Sequence, residues 1–548
     1  MQFLRTMVLV TVLLAMLLAL LTGCDSGDQR TTTQDADTDL QPEAGGMAIV
    51  ALPSQPDVLN PLIRTSSVAG MIISLLQASL TEMGEDMSWQ PMIAESWEVS
   101  PDSMAITYHL RPWVWENGEP LTAEDVRLSF DLVRNPIIGC PRADIHRPVT
   151  AVTVLDSATI RYEFESPEPQ PELRSSHTIL PRHLVAELDP GSVGSWSMNH
   201  APLASGAFRL ESWDHGQQLV LEPNPQYPLV RPWLDRVVMR VIPDETARIL
   251  ALETGEVDMV MSIPPVAARR LKTNPQIRLS EIEGRVFGFM MWNTRKPQLE
   301  DPTVRRAMSL AMDRERIVND LLDGRGSVAA SYLPKVLWNH HPDLAADPFR
   351  PDSARVLLEQ AGWVDTDGDG VREKNGQELS LEILFRGGNP LIENGVVLLR
   401  HNLADVGVAV DLRSLELATA LSFLRSGRFD AYFGEFQANL YADPSPLVMS
   451  GATDRFNFGG YANDRVDSLL ATALAETNRE LSLPIWYALQ EELMWDQPAA
   501  VLYYPNQVVG YQGRLHDVRP HKLSPVNNLT EWWIAPRDRH WSKKEYSK

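Results

Sequence analysis

Residues 91–135 read PMIAESWEVSPDSMAITYHLRPWVWENGEPLTAEDVRLSFDLVRN. Ile106, Tyr108 and Leu110 alternate with Thr107, His109 and Arg111, the pattern of a strand with one buried face. Asn117-Gly118 is a tight-turn dipeptide. Thr122 and Asp125 stand at capping-box spacing, with Asp where Glu or Gln is usual, and predict a helix that puts Val126, Phe130 and Val133 on one face. Asn135-Pro136 closes that helix. Strand, turn and capped helix follow from the residues alone.

The N-terminus is of another kind. Arg5 precedes an apolar run, Met7 to Leu21, broken only by Thr11. At 15 residues it is short of the roughly 20 a membrane span needs and suits the core of a signal peptide. It ends in Leu21-Thr22-Gly23-Cys24, which resembles a bacterial lipobox with Cys24 as the lipidated residue. Residues 1–23 are therefore assigned to a signal peptide. Residues 24–44 are polar save for a few small or apolar positions such as Leu40, and are assigned to a flexible, lipid-anchored tether. Asp25 resembles the signal that keeps a lipoprotein in the inner membrane of a host with two membranes.

The remaining 500 or so residues exceed one core and predict two or three domains. The chain has 49 basic and 72 acidic residues, a formal charge of −23; loss of Met1 to Gly23 removes one arginine and no acid and leaves −24. Such acidity argues against a nucleic-acid partner and against polycationic docking to a membrane. Cys140 is the only cysteine besides Cys24. With Cys24 lipidated it has no disulfide partner, and a buried bystander is expected.

Further blocks follow the same logic. Gly45-Gly46 leads into an apolar strand, Met47 to Leu52, and then the turn Pro56-Asp57-Val58-Leu59-Asn60-Pro61. Strand Gln218 to Glu222 precedes Val237, Met239 and Val241, and Asp244 caps a helix that ends at Gly255. Phe287 to Asn293 is strand-like. Asp301-Pro302 opens a helix with Val304, Ala307, Met308 and Ala311 on one face. Near the C-terminus, GGYANDRVDSLL is followed by a helix with Ile485, Leu489 and Leu493, then by Pro498 and a strand, Val501 to Tyr504.

Taken together, residues 91–135, the DVLNP turn, GEVD at residues 255–258, DPTVRRAMSLAMDRERIV at residues 301–318 and GGYANDRVDSLL resemble the family 5 extracellular solute-binding proteins, the peptide- and nickel-type receptors of ABC importers. The resemblance implies an α/β, periplasmic binding protein-like fold of the cluster C type, with two discontinuous α/β lobes, a hinge and an extra small domain. It places lobe I in residues 45–90, 200–290 and 505–548, the extra domain in residues 91–199 and lobe II in residues 291–504. It also puts Leu59, Asn60, Gly206, Phe208, Asn293, Phe436, Asn439 and Asp443 near the cleft. In the peptide-binding relatives an aspartate precedes the Asp-Pro of this last loop by a few residues. Its ungapped match here is Leu440, which argues against ordinary recognition of a free peptide ammonium, unless a short gap restores Asp443 as the anchor.

Other patterns carry less. Asp365, Asp367 and Asp369 match the first half of a calcium loop, but the twelfth position is Gly376, and a solvated turn leading to an Asn375-Gly376 hairpin is favoured. His340 and His341 are adjacent, a poor arrangement for one metal. Gly324-Arg-Gly326 follows a helix rather than a strand, so Gly324 reads as a helix end, not part of a dinucleotide fingerprint. No metal site and no cofactor is assigned. HExxH, GxSxG and Walker patterns are absent, and no enzyme is expected.

The resulting expectation is a monomeric receptor on the outer face of the cell membrane that closes around a peptide-like solute and delivers it to an ABC permease and its ATPase. An oligosaccharide, an opine-like compound or a metal chelate is an alternative ligand. A sensory receptor or an envelope hydrolase is a more distant alternative.

Overall fold

The computed structural model describes residues 41–539. The signal-peptide, lipobox and tether assignments up to Leu40, Cys24 included, lie outside these residues. No helix among the described residues is long and apolar enough to cross a membrane.

β1 (Met47–Leu52) is buried at every position, which suits a strand paired on both sides in a sheet with both faces covered. α1 (Ser67–Leu76) follows, with Ser66 accepting the Ala69 N–H at its start. The chain then builds the extra domain from β2 (Ala94–Val99), β3 (Ala105–Leu110), α2 (Ala123–Val133), β4 (Val149–Asp156) and β5 (Thr159–Phe164). Its antiparallel sheet has the order β2-β3-β5-β4. Ile106, Tyr108 and Leu110 point into a core that includes Trp115 and Tyr162. The Asn117-Gly118 turn forms as read, closed by the Gly118 N–H on the Trp115 carbonyl at 2.8 Å.

The capping box of α2 shows why aspartate stands at its third position. Asp125 Oδ2 accepts the Thr122 N–H at 2.9 Å, and Oδ1 accepts the Arg182 N–H at 2.9 Å. The buried carboxylate thus starts the helix and also fixes the end of the segment, residues 168–182, that walls the main cavity.

Lobe I resumes with β6 (Phe208–Asp214), β7 (Gln218–Pro223), β8 (Arg236–Val241), α3 (Glu245–Glu253), β9 (Met259–Val260) and β10 (Ile277–Glu283). Asp244 caps α3 through the Ala247 N–H at 2.7 Å, as its position predicts. Lobe II contains β11 (Val286–Trp292), α4 (Pro302–Leu310), β12 (Gly326–Val328), β13 (Ser380–Arg386), α5 (Pro390–Ala404), β14 (Ala409–Leu415), β15 (Ala431–Gln437), α6 (Asp464–Ala475) and α7 (Arg479–Asp496). Asp301 caps α4 through the Thr303 N–H, and Val304, Ala307, Met308 and Ala311 are all buried.

β16 (Ala499–Gln512) joins the lobes, and here the sequence reading stopped too early. The strand runs past Tyr504 through Pro505 for 14 residues in all. Residues 499–503 pair with β11, and residues 506–512 pair with β10. A proline removes a ladder donor and usually marks a strand end. Pro505 is tolerated because it stands where the strand leaves one partner and takes up the next. The other passage between lobes is the two-residue step Gly284-Arg285, between β10 and β11. β11 pairs along its whole length with β15 of lobe II, so the strand pairing changes lobe upstream of residue 290. The full sheet has 12 strands with the path β14-β13-β15-β11-β16-β9-β1-β8-β7-β6, while β10 and β12 also pair with β16. Two strand passages side by side form a narrow hinge, the kind about which lobes close.

Candidate functional site

A cavity of about 620 Å³ lies where the Pro61–Arg64 turn and the extra domain face lobe II. Its size falls in the usual range of small-molecule sites, about 300–1,000 Å³. Six separated stretches of chain line it: residues 61–97, 133–146 and 168–178 on one side, and residues 337–338, 440–441 and 473–486 on the other.

The first wall is mixed and carries three arginines, Arg64, Arg142 and Arg174, beside Glu168 and Glu172. Arg142 donates Nη2 to the Pro61 carbonyl and Nη1 to the Arg64 carbonyl at 3.4 Å. Arg64 lies along α1 at Gly70, where an added Cβ would come 2.6 Å from Nη1. Burial, and then the neighbouring charge of Arg142, lower the Arg64 pKa to about 10. Arg174 pairs with the buried Glu168 at 3.2 Å. Below them His146 Nδ1 meets the Arg174 carbonyl at 2.7 Å, and His177 Nε2 meets the Tyr162 hydroxyl at 3.1 Å. Burial pushes the His177 pKa down to about 3, and it lowers that of His146 as well. Both rings are held neutral because nothing around them repays the loss of water by the charged form.

The second wall is largely apolar. Trp338 and Trp486 meet edge to face at 6.3 Å, with Leu337, Leu440 and Leu474 around them. The Arg479 guanidinium stacks over the Trp338 ring at 4.4 Å, a cation–π contact. Tyr441 completes the wall, and its carbonyl accepts the Gln170 side-chain amide at 3.3 Å from the other side. Trp97 extends the aromatic lining on the extra domain and donates to Glu172 at 3.1 Å.

The residues placed near the cleft by resemblance occupy the frame beside this cavity rather than its lining. Asn60 is buried, donates to Asn199 at 2.9 Å and accepts the Leu62 N–H at 2.9 Å, which shapes the turn presenting Pro61 and Arg64. Leu59 and Phe208 are in the lobe I core. Gly206 passes so close to α1 that a Cβ would meet the Leu75 carbonyl oxygen at 2.6 Å. Asn293 binds the carbonyls of Gly427 and Phe429 at 3.1 and 2.8 Å. Phe436 packs among Phe287 and Phe456. Asn439 and Asp443 brace one loop: the Asp443 N–H donates to Asn439 Oδ1, and Asp443 Oδ1 accepts the Ser445 N–H. That loop delivers Leu440 and Tyr441 to the cavity. Cys140 is buried and its residue lines the same cavity beside Arg142.

Sequence reasoning did not single out Arg64, Arg142, Arg174, His146, His177, Trp338 or Trp486. They come from distant segments with no local motif, and only the fold brings them together. The other candidate constellations resolve simply. His340 Nδ1 meets the Leu333 carbonyl while His341 Nε2 meets Glu491, so the rings serve different partners. Gly324 ends its helical segment with φ +73°, its N–H on the Val318 carbonyl. Asp365, Asp367 and Asp369 gather with Glu373, with ligand atoms within 4.8 Å of one another. Their oxygens accept the loop's own N–H groups at Thr366, Gly368, Asp369, Gly370 and Val371.

Two α/β lobes on a strand hinge, with an extra domain and a cavity between opposed walls, define a periplasmic binding protein of the cluster C type. The model of the bacterial extracellular solute-binding proteins, family 5, matches residues 88–458, and the chain belongs to that family. It is 25% identical over 531 residues to the oligopeptide-binding protein AppA of Bacillus subtilis, covering 95% of this chain and 97% of that protein. It is 28% identical over 425 residues to the probable D,D-dipeptide-binding periplasmic protein DdpA of Escherichia coli, covering 76% of this chain and 79% of that one. Among solved structures, NikA from Brucella suis in complex with Fe(III)-EDTA superposes with a TM-score of 0.80 at 21% identity, over 89% of this chain and 99% of the other.

Proposed function

We propose that the protein is the substrate-binding receptor of an ABC importer, anchored by a lipid on Cys24 to the outer face of the cell membrane, and that it takes a peptide-like solute into the cavity between lobe II and the extra domain. The observation that carries this reading is the cavity itself, walled on opposite sides by parts of the chain joined through the Gly284-Arg285 step and the single strand β16. A ligand touching both walls favours the closed arrangement over the open one by its differential affinity, and closure follows as a population shift. The relatives' names supply the solute class: an oligopeptide-binding protein spans nearly the whole chain. No bond is made or broken in this role.

Native mass spectrometry of the purified mature protein, before and after mild denaturation, tests the reading. A released family of short peptides is expected. Catalytic conversion of any bound compound would sink the receptor reading. Replacement of Cys24 by alanine is expected to move the protein from the membrane fraction to the soluble extracytoplasmic fraction.

A second ligand class has one specific observation in its favour. Leu440, the ungapped counterpart of the ammonium-binding aspartate of peptide-binding relatives, lines the cavity. An apolar side chain there offers no partner to a free amine. A single non-peptide mass released in the same experiment would select that class.

A further inference from the structure

We infer that Arg269, Glu281, Asp323 and Arg325 form an ionic latch between the lobes, behind the hinge, that favours the closed arrangement. This deepens the receptor reading and rests on it for the meaning of closure. The latch runs both ways. Arg269 of lobe I donates Nε to Asp323 Oδ2 of lobe II at 3.2 Å and Nη2 to Oδ1. Arg325 of lobe II donates in turn to Glu281, on β10 of lobe I. Arg325 Nη2 also lies 3.9 Å from Asp323 Oδ2, which joins the two bridges into one network. Each lobe thus presents one cation and one anion.

The two faces of the sheet fix its place. Val50 of β1 shares a core with Ile72 of α1, the helix along which Arg64 reaches the cavity. Its neighbour Ile49 shares the opposite core with Ala268 of the helix Pro265–Leu271. On β11, Phe289 shares a core with the cavity residue Trp486, whereas Met290 shares one with Leu322. Arg269 and Asp323 directly follow Ala268 and Leu322. Both carriers of the latch therefore lie on the face of the sheet turned away from the cavity.

The segment that carries Asp323 and Arg325 is held in an unusual shape. It leaves a π-helical turn, Ile317–Leu321, through two consecutive left-handed residues, Asp323 at φ +56° and Gly324 at φ +73°. A positive φ is uncommon for a residue with a side chain and persists where the surroundings impose it. Asn506, the first residue of β16 beyond Pro505, donates its N–H to the Arg325 carbonyl at 3.0 Å and its side-chain amide to Glu281 at 3.5 Å. The latch is fastened at the strand passage where the pairing changes lobe.

A single exposed ion pair contributes little to a fold, and Arg269 is exposed. A pair that spans a hinge acts instead on the balance between two arrangements. Opening turns the lobes about the two strand passages. The cavity walls then part, and on the far face the helix Pro265–Leu271 and the turn at residues 323–325 move against each other. A side-on guanidinium fork is tied to one orientation. It is made here together with the contact of Gln170 and Tyr441 across the cavity, and rotation breaks it. Each bridge is expected to weight the closed population about two- to fivefold.

Small-angle X-ray scattering of the full mature protein, freed of bound solute by mild unfolding and refolding, reads the lobe separation as the radius of gyration. Asp323→Asn removes one charge and keeps a residue that tolerates positive φ; Glu281→Gln removes the other bridge. Each is expected to raise the radius at low salt, and the double variant to raise it further. Arg269→Lys, which keeps the charge and loses the fork, should fall between wild type and Asp323→Asn. Raising the salt from about 20 to about 500 mM should open the wild type, because exposed pairs are screened, and leave the double variant unchanged. Should a variant fold poorly, the salt series on the wild type and Arg269→Lys carries the comparison. Equal radii in all proteins at every salt concentration overturn the latch. Variants more compact than the wild type overturn it too, since the bridges would then belong to the open arrangement. Neither result touches the receptor reading, which falls instead with turnover of a bound compound.

Discussion

The side-chain amide of Gln170, in the extra domain, donates to the main-chain carbonyl of Tyr441, in lobe II, at 3.3 Å, across 271 positions of sequence. It bridges the two walls of the cavity. A neutral hydrogen bond of this kind contributes about 0.5–1.5 kcal/mol net. Because it spans the walls, its loss acts on the closed arrangement more than on the fold of either part. Gln170→Ala is expected to raise the rate of ligand dissociation about two- to tenfold, with little change in the unfolding midpoint. Stopped-flow tryptophan fluorescence measures the rate; an unchanged rate would count against Gln170 as part of the closure contact.

Asp258, the last residue of the GEVD motif, is 1% exposed and binds Arg514 through both oxygens at 2.7 Å. Its Oδ2 also accepts the Ile49 N–H of β1 at 2.8 Å. One carboxylate therefore ties the first strand, the GEVD turn and the C-terminal end of β16. Removing one partner of such a buried pair strands the other charge. Asp258→Ala is expected to destabilise lobe I by about 3–5 kcal/mol, read from urea denaturation, whereas the double change Asp258→Ala with Arg514→Met should recover a good part of the loss. A double variant as unstable as the single one would show that the anchoring of Ile49, not the ion pair, dominates.

Gly288 and Tyr503 are register partners beside the passage between lobes. A Cβ on Gly288 would stand 2.2 Å from the Tyr503 ring, which is fully buried and donates its hydroxyl to Glu435 at 3.1 Å. The ring has no room to retreat without leaving the lobe II core. Gly288→Ala is expected to cost about 1–3 kcal/mol as an overpacked site, while Gly288→Ala with Tyr503→Leu should be milder. Chemical denaturation of the three proteins decides this, and a silent Gly288→Ala would mean that the strands slide apart freely at the hinge.

Much of the frame was legible because it is local. The strand at Ile106–Leu110, the Thr122 cap, the Asp244 and Asp301 caps and the buried β1 each announce themselves within a few residues. β16 was cut short because Pro505 carries a local stop signal that only a change of partner strand overrides. The cavity was legible only as a neighbourhood. Asn60, Asn439 and Asp443, which the family resemblance put near the cleft, lie in turns beside it. Arg64, Arg142, His177 and Trp338 carry no local signal, since a wall assembled from distant segments leaves no periodicity for a sequence to display.

His177 gives the pH dependence a definite sign. Its ring is enclosed by Tyr162, Phe130 and His146, with the cation Arg174 nearby on the same wall. Burial first, and His146 second, hold its pKa at about 3, against about 6.5 when exposed. Between those values the unfolded chain binds a proton that the folded chain refuses, so stability falls as pH falls through this window and is unaffected by His177 above it. The full slope for one such group is about 1.4 kcal/mol per pH unit. His146, whose pKa is also lowered by burial, adds in the same direction. Urea midpoints taken from pH 7 to pH 4 are expected to decline more steeply in the wild type than in His177→Gln, which has no proton to gain. The two curves should converge toward acid pH even though the variant is less stable at pH 7 through the lost contact with Tyr162. Parallel curves would show that the His177 ring takes up its proton in the folded protein, and that the cavity wall beneath Arg174 is wetter than its packing implies.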